Sequence, residues 1–223
     1  METHKRVLLL VGSPKGPESS SEALGRYLLG KLGDGGFETQ GAYIHTLMRS
    51  AEGQQALLEL VKASDILILS FPLYVDSLPA TMIAALERIA QQQAKATQTK
   101  KQKLVAIVNN GFPEASQNNT AIAICKRFAF EVHFEWMGGL SMGGGGVIGG
   151  QQLDRAGFAA KNARKALDLA AKDLLEGEPV SQQAVQLMAK MAIPKWLYIM
   201  ISNRGWKKQA KAFGAADKLE NQP

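Results

Sequence analysis

The 223-residue sequence predicts a doubly wound α/β fold on a five-stranded parallel sheet of order 2-1-3-4-5. Three observations predict it. Continuous apolar runs at residues 7–11, 66–69 and 104–108 have the character of strands buried on both faces. Amphipathic segments at helical spacing separate them, and strand–helix alternation winds into a right-handed parallel sheet. Two further segments, 37–44 and 132–137, alternate apolar with polar residues, as edge strands do. These are second and fifth in sequence, which gives the strand order and places a ligand crevice where the first and third strands diverge.

Taken in order, the first strand runs into Gly12-Ser13-Pro14-Lys15-Gly16-Pro17-Glu18-Ser19-Ser20-Ser21, and a helix with Leu24, Leu28 and Leu32 on one stripe follows. The first edge strand sets Phe37, Thr39 and Tyr43 against Glu38 and Gln40. Leu57, Leu60 and Val61 mark the next helix, and Met82, Leu86 and Ile89 the one after the third strand. Ile124 and Phe128 mark a helix after the fourth strand. The second edge strand sets Val132, Phe134 and Trp136 against His133 and Glu135, and residues 158–175 supply the last helix of the sheet domain. Beyond Gly177 the pattern changes. Residues 181–192 read as a short helix carrying Val185, Met188 and Met191, and Pro194 breaks it. An apolar run at 196–201 follows, then Trp206, Ala210 and Phe213 at helical spacing among lysines. We expect one domain over 1–177 with a C-terminal helical arm over 178–223, not a second domain.

Composition bounds the function. Hydrophobic residues at 46% and charged residues at 21% are those of an ordinary globular protein. The single cysteine, Cys125, excludes an internal disulfide and any cysteine-rich metal or cluster site. It points to a reducing, cytoplasmic compartment. His4, His45 and His133 lie far apart and show no metal-ligand spacing. The net charge of +6 is concentrated: Lys190, Lys195, Arg204, Lys207, Lys208 and Lys211 fall between Glu178 and Asp217 with no acidic residue among them. A second basic run comprises Lys95, Lys100, Lys101 and Lys103. No nucleic-acid-reading motif accompanies the charge, so no nucleic-acid partner is expected.

The first turn has the chemistry of a phosphate holder. Backbone N–H groups at a helix start are unpaired, and the helix carries about half a positive elementary charge there. Serine hydroxyls and the Lys15 ammonium can complete the shell. A nucleotide-triphosphate P-loop needs Gly-Lys where Pro17 and Glu18 stand, and a dinucleotide fingerprint needs a glycine where Pro14 stands. A compact serine loop for one terminal phosphate remains, beside the plainer reading of a serine-capped helix start. The stretch Ser70-Phe71-Pro72-Leu73-Tyr74-Val75-Asp76-Ser77-Leu78-Pro79 should face this turn across the crevice. Its prolines stiffen it, and Tyr74 offers a flat face with a polar tip. The fourth strand ends in Asn109-Asn110-Gly111-Phe112-Pro113 on the same side.

These three stretches together resemble the flavodoxin-like NAD(P)H-dependent FMN reductase and quinone reductase superfamily over roughly the first 175 residues. The resemblance implies a flavodoxin-like fold, bound FMN, NADH or NADPH as co-substrate, and a homodimer. It implies FMN phosphate at Ser13, Lys15, Ser19, Ser20 and Ser21. The ring would lie against Pro72, Leu73, Tyr74, Val75 and Asp76, with Asn110, Gly111 and Phe112 on the other loop. Main-chain N–H groups of residues 73–75 and 110–112 would stabilise charge on the ring. Related iron–sulfur flavoproteins carry a cysteine cluster that this chain lacks. The implied reaction moves a hydride from NAD(P)H through the flavin to a quinone or similar small-molecule acceptor, with no acid–base side chain and therefore no catalytic residue.

Other signals weigh less. Gly139-Leu140-Ser141-Met142-Gly143 fits a nucleophile elbow, but all three histidines precede Ser141, and a glycine tract replaces the required helix. That tract, 143–146 with Gly149 and Gly150, reads as a loop near the flavin, a subunit contact or a linker. Cys125 lies on an apolar helical face and reads as core. The basic, aromatic arm suits either a dimer partner, which we favour, or weak contact with an anionic membrane surface. A flavodoxin-type electron carrier without nicotinamide turnover is the competing function, although such carriers are acidic and short. A flavin-free interaction scaffold is the third.

Overall fold

The computed structural model describes residues 5–95 and 101–215. His4, Lys100 and Asp217, named above, lie outside them. The five strands are β1 (Arg6–Val11), β2 (Glu38–Tyr43), β3 (Ile66–Pro72), β4 (Lys103–Asn109) and β5 (Glu135–Met142). All pair in parallel in the order β2-β1-β3-β4-β5. This is the strand order that the apolar spacing predicts, and the flavodoxin-like topology that the resemblance implies.

The period-2 geometry of a strand divides the core in two. Val7, Leu9 and Val11 of β1 point to one face of the sheet, where α1 (Ser20–Asp34) and α6 (Lys161–Glu176) cover them. Leu8 and Leu10 point to the other, under α2 (Ile44–Leu47), α3 (Ala51–Ala63), α4 (Ala80–Gln93) and α5 (Asn119–Glu131). The five apolar side chains of β1, Val7 to Val11, are buried, each contributing about 1.5–3 kcal/mol. Because β1 leads to a helix on one face and β3 to a helix on the other, their carboxyl ends open a crevice between them.

Several boundaries differ from the sequence expectation. The fifth strand runs Glu135–Met142 instead of 132–137. Helix α5 persists to Glu131, and the chain turns at His133, whose φ is 58°, before the strand starts. Periodicity cannot register that turn, because Val132 and Phe134 are buried within it as strand residues would be. The buried stripe of α5 is Ala121, Cys125 and Ala129, with Ile124 partly exposed. Residues 158–160 form a separate 3-10 turn ahead of α6.

After Gly177 the chain returns to the sheet edge. The Val180 N–H donates to the Met137 carbonyl at 2.7 Å. Helix α7 (Gln182–Ala189) is capped by Ser181, whose hydroxyl accepts from the Ala184 N–H. Ala184 and Met188 are buried in the same core as α1 and α6. Helix α8 (Lys195–Ala212) follows Pro194 and joins the apolar run at 196–201 to Trp206 and Ala210 in one element. No helix among the described residues is long and apolar enough to cross a membrane.

Candidate functional site

The first turn is built by close approach. Gly12 donates its N–H to the Ser70 carbonyl at 2.8 Å, and a Cβ there would lie 2.6 Å from Met82 Cε and 2.9 Å from Phe71 Cβ. Any side chain would push the turn away from β3. Residues 16–18 make one 3-10 turn, and α1 begins at Ser20.

The serine hydroxyls of this turn are engaged with the protein itself. Ser19 Oγ accepts from the Glu22 N–H at 3.1 Å and donates to the Gly16 carbonyl at 2.8 Å, which makes it the N-cap of α1. Ser20 Oγ donates to the Gly145 carbonyl at 2.8 Å. Ser21 Oγ accepts from Asn109 Nδ2 at 2.6 Å, and its carbonyl accepts from Ser70 Oγ at 2.6 Å. The main-chain N–H groups of Ser13, Ser20 and Ser21 have no acceptor among the described residues. At Ser20 and Ser21 this follows from helix geometry, since the first bond of α1 runs from the Ala23 N–H to the Ser19 carbonyl. The turn therefore offers backbone donors, with the exposed Lys15 beside them.

The second loop is a tight turn. Tyr74 and Ser77 exchange N–H to carbonyl bonds of 2.9 and 3.0 Å, leaving Val75 and Asp76 at φ 47° and 58°. The third loop is held by side-chain amides. Asn110 Oδ1 accepts from the Phe112 N–H at 2.8 Å, and Asn110 Nδ2 donates to Asn118 Oδ1 at 3.0 Å. Asn118 Nδ2 in turn donates to the Met142 carbonyl at 3.2 Å and to Ser141 Oγ at 3.0 Å. Ser141 Oγ donates to the Ala115 carbonyl at 2.6 Å, a structural role in keeping with rejection of the hydrolase reading.

One sequence expectation needs correction. The N–H of Leu73 donates to the Asn109 carbonyl, that of Tyr74 to Ser77, and that of Asn110 to Met142. With Phe112 also engaged, Val75 and Gly111 are the only residues of 73–75 and 110–112 whose N–H has no acceptor among the described residues. Pairing to the adjacent strand continues into both loops and absorbs the donors of Leu73 and Asn110, the tight turn takes that of Tyr74, and the Asn110 side chain takes that of Phe112.

A cleft of about 600 Å³ collects these parts, within the size range of small-molecule sites. Ser13, Lys15, Ser19, Ser20, Ser21, Pro72, Leu73, Tyr74, Asn110 and Gly111 line it, all of them singled out from the sequence. Val75, Asp76 and Phe112 lie outside the lining, and Val75 and Phe112 are well exposed on the same loops. Glu18 and Asn109, from the first and third stretches themselves, join the lining with Gly145, Gly146, Gly149, Gly150, Trp206 and Gln209. The glycine tract was the available signal for four of them. Gly150 has φ 73°, and a Cβ on it would lie 2.1 Å from the Glu18 carbonyl oxygen, so the tract packs backbone against the first turn. Trp206 had no signal, because nothing in local spacing tells where α8 returns.

Two contacts tie the arm to the loop after β4. Tyr198, buried, donates its hydroxyl to the Gly111 carbonyl at 2.7 Å. Lys195 Nζ bonds Glu114 Oε1 at 3.0 Å, and the ammonium holds that carboxyl below the usual carboxylate value. Among the described residues no group of three or more His, Cys, Asp or Glu could hold a metal ion. The donor set fits a phosphate-bearing flat ligand: free amides and one ammonium at the helix start, proline and tyrosine faces beyond.

A family model described as NADPH-dependent FMN reductase matches residues 5–145. Among solved structures, the NAD(P)H:quinone oxidoreductase of Methanothermobacter marburgensis aligns with a TM-score of 0.58 at 13% identity, over 77% of this chain and 96% of that one. An FMN-dependent NADH-azoreductase from Bacillus anthracis, solved with FMN, aligns with a TM-score of 0.56 at 12% identity, over 77% and 99%. A putative quinone reductase from Klebsiella pneumoniae aligns at 0.57 with 17% identity, over 78% and 86%. At such identities the likeness is one of fold. Comparison with curated proteins found no match.

Proposed function

We propose that this chain, which belongs to the NADPH-dependent FMN reductase family, holds FMN in the cleft and passes electrons from a reduced nicotinamide to a small quinone or azo acceptor. The observation that carries the reading is the convergence of the ends of β1, β3 and β4 on one cleft with unpaired amides at a helix start. Family membership supports the FMN and the nicotinamide. The names of the structural neighbours support the acceptor class.

FMN, when bound, supplies the two-electron chemistry. The chain's part is to bind and orient. The N–H groups of Ser13, Ser20 and Ser21 and the Lys15 ammonium take the phosphate dianion, which the dipole of α1 also favours. The hydroxyls of Ser19 and Ser21 act one step behind, fixing the amides that donate. Pro72, Leu73 and Tyr74 give the ring a stiff wall. The free N–H groups of Val75 and Gly111, on loops that also carry Asp76, Asn110 and Phe112, are the donors left for its polar edge. No side chain is needed as general acid or base. The reading takes the protein as a homodimer, supported by Ile199, Ile201 and Phe213, large apolar side chains left exposed on and just after α8.

The absorbance spectrum of purified protein, before and after adding FMN, followed by NADH and NADPH oxidation with and without a quinone, tests this. Flavin bands and quinone-stimulated oxidation are expected. A protein that takes up no FMN overturns the reading. One that binds FMN but oxidises neither nicotinamide is instead an electron carrier.

A further inference from the structure

We propose that α8 completes the cleft and that the Trp206 indole is a stacking wall for a flat, electron-poor aromatic ring bound there. The inference rests on the reading of the cleft as an FMN site.

Trp206 is 67% exposed and yet lines the cleft, together with Gln209 one turn further along the same helix. Its position is fixed from a distance. The Tyr198 hydroxyl bond to Gly111 and the Lys195–Glu114 ion pair pin the first turns of α8 to the loops after β4. Met191 and the Tyr198 ring lie against Gly144, where a Cβ would come within 2.8 Å of Met191 Cε and 3.4 Å of Tyr198 Cε2. From Tyr198 the helix advances about 12 Å to Trp206. Short tethers at one end thus deliver a large ring to a cleft whose other walls come from the sheet.

The lining has two chemical characters. Free amides and Lys15 gather at the start of α1, whereas the exposed aromatic rings in the lining are Tyr74, 45% exposed, and Trp206. An anion-binding region and an aromatic region in one cleft suit a ligand with a charged tail and a flat head. Indole is the largest aromatic side chain and has only two side-chain torsions to immobilise, so it stacks on a planar ring at low entropic cost. Trp196 lies on the same helix, is equally exposed at 66%, and does not line the cleft. It is a control built into the fold.

The flat ring has two sources, the flavin itself and the quinone acceptor, and separate binding measurements distinguish them. FMN affinity is measured by quenching of flavin fluorescence. The affinity of the FMN-loaded protein for a naphthoquinone is measured by equilibrium dialysis. Trp206→Ala should weaken one of the two by roughly three- to tenfold, Trp206→Phe should recover most of the loss, and Trp196→Ala should change neither by more than about twofold. The ligand that weakens identifies the ring. Wild-type protein that binds FMN, with Trp206→Ala matching it for both ligands, overturns the inference and leaves the FMN site standing. Equal losses in Trp206→Ala and Trp196→Ala overturn it as well, since they would report the helix and not the indole. Wild-type protein that binds no FMN removes the reading beneath the inference.

Discussion

Val75 holds a β-branched side chain at φ 47° with Asp76 at 58° beside it, in a turn type that favours asparagine and glycine. Such conformations cost about 1–3 kcal/mol each and persist only where the surroundings enforce them. Here the Tyr74–Ser77 pairing enforces them, and the result presents a main-chain N–H of Val75 that no described residue accepts. Asn109 works in the opposite sense. Buried, it donates to Ser21 Oγ and to the Phe71 carbonyl, and so locks the start of α1 to β3. Cys125 is a third case, in which burial pushes the thiol from 9.0 up to about 12. The folded chain then keeps a proton that the unfolded chain loses. The contribution is fully present below the ordinary thiol value and is lost as pH rises from there towards about 12. Urea midpoints should therefore fall between about pH 8 and about pH 10, and Cys125→Ala should flatten that fall while lowering the midpoint at neutral pH.

Among the elements, α1 brings its N-terminus to the site and shows how tightly it must pack. A Cβ on Gly25 would lie 2.7 Å from Leu9 Cδ1 and 3.1 Å from Ser70 Cβ, so the helix rests directly on β1 and β3. Gly30, exposed in the same helix, has nothing within 4 Å of the corresponding position. Two substitutions of the same kind should thus have opposite signs. Gly25→Ala should destabilise the protein by about 1–3 kcal/mol through overpacking, and Gly30→Ala should stabilise it by about 0.5–1 kcal/mol. Denaturant titration reads both. Helix α8 is the contrasting element. It buries only Tyr198, and its few tethers position a side chain at the cleft instead of filling a core.

For the molecule as a whole, the two faces of the sheet have separate cores, and the one under α1 and α6 extends through Val180, Ala184 and Met188 into the segment after Gly177. That continuity makes α7 part of the same cooperative unit as β1. Met188→Ala should cost about 2–5 kcal/mol, the loss expected of a central core position, with one coincident transition by circular dichroism and tryptophan fluorescence. A small effect, or a separate early transition, would show that α7 is only appended. The net charge of +6 has its most basic segment on and around α8.

Much of this was legible in the residues. Three buried apolar runs and two alternating ones gave sheet type and order, because burial on two faces leaves a composition that exposure on one does not. Ten of the lining residues were recognisable because the three loops leave adjacent strand ends, so chain order alone brings them together. The turn at His133, the hydroxyl turned inward at Ser21, and the donors consumed at Leu73 and Tyr74 were not legible, whereas the Ser19 cap was one of the two readings that the first turn left open. The Tyr74 and His133 bonds close local turns that apolar periodicity does not specify, whereas the Ser21 and Leu73 bonds reach Asn109, distant in sequence, of which spacing along the chain carries no record. Trp206 is the clearest instance. Its helical period was plain, but only the hydroxyl of Tyr198 and the ammonium of Lys195, fastened to residues more than eighty positions earlier, decide that it faces the cleft.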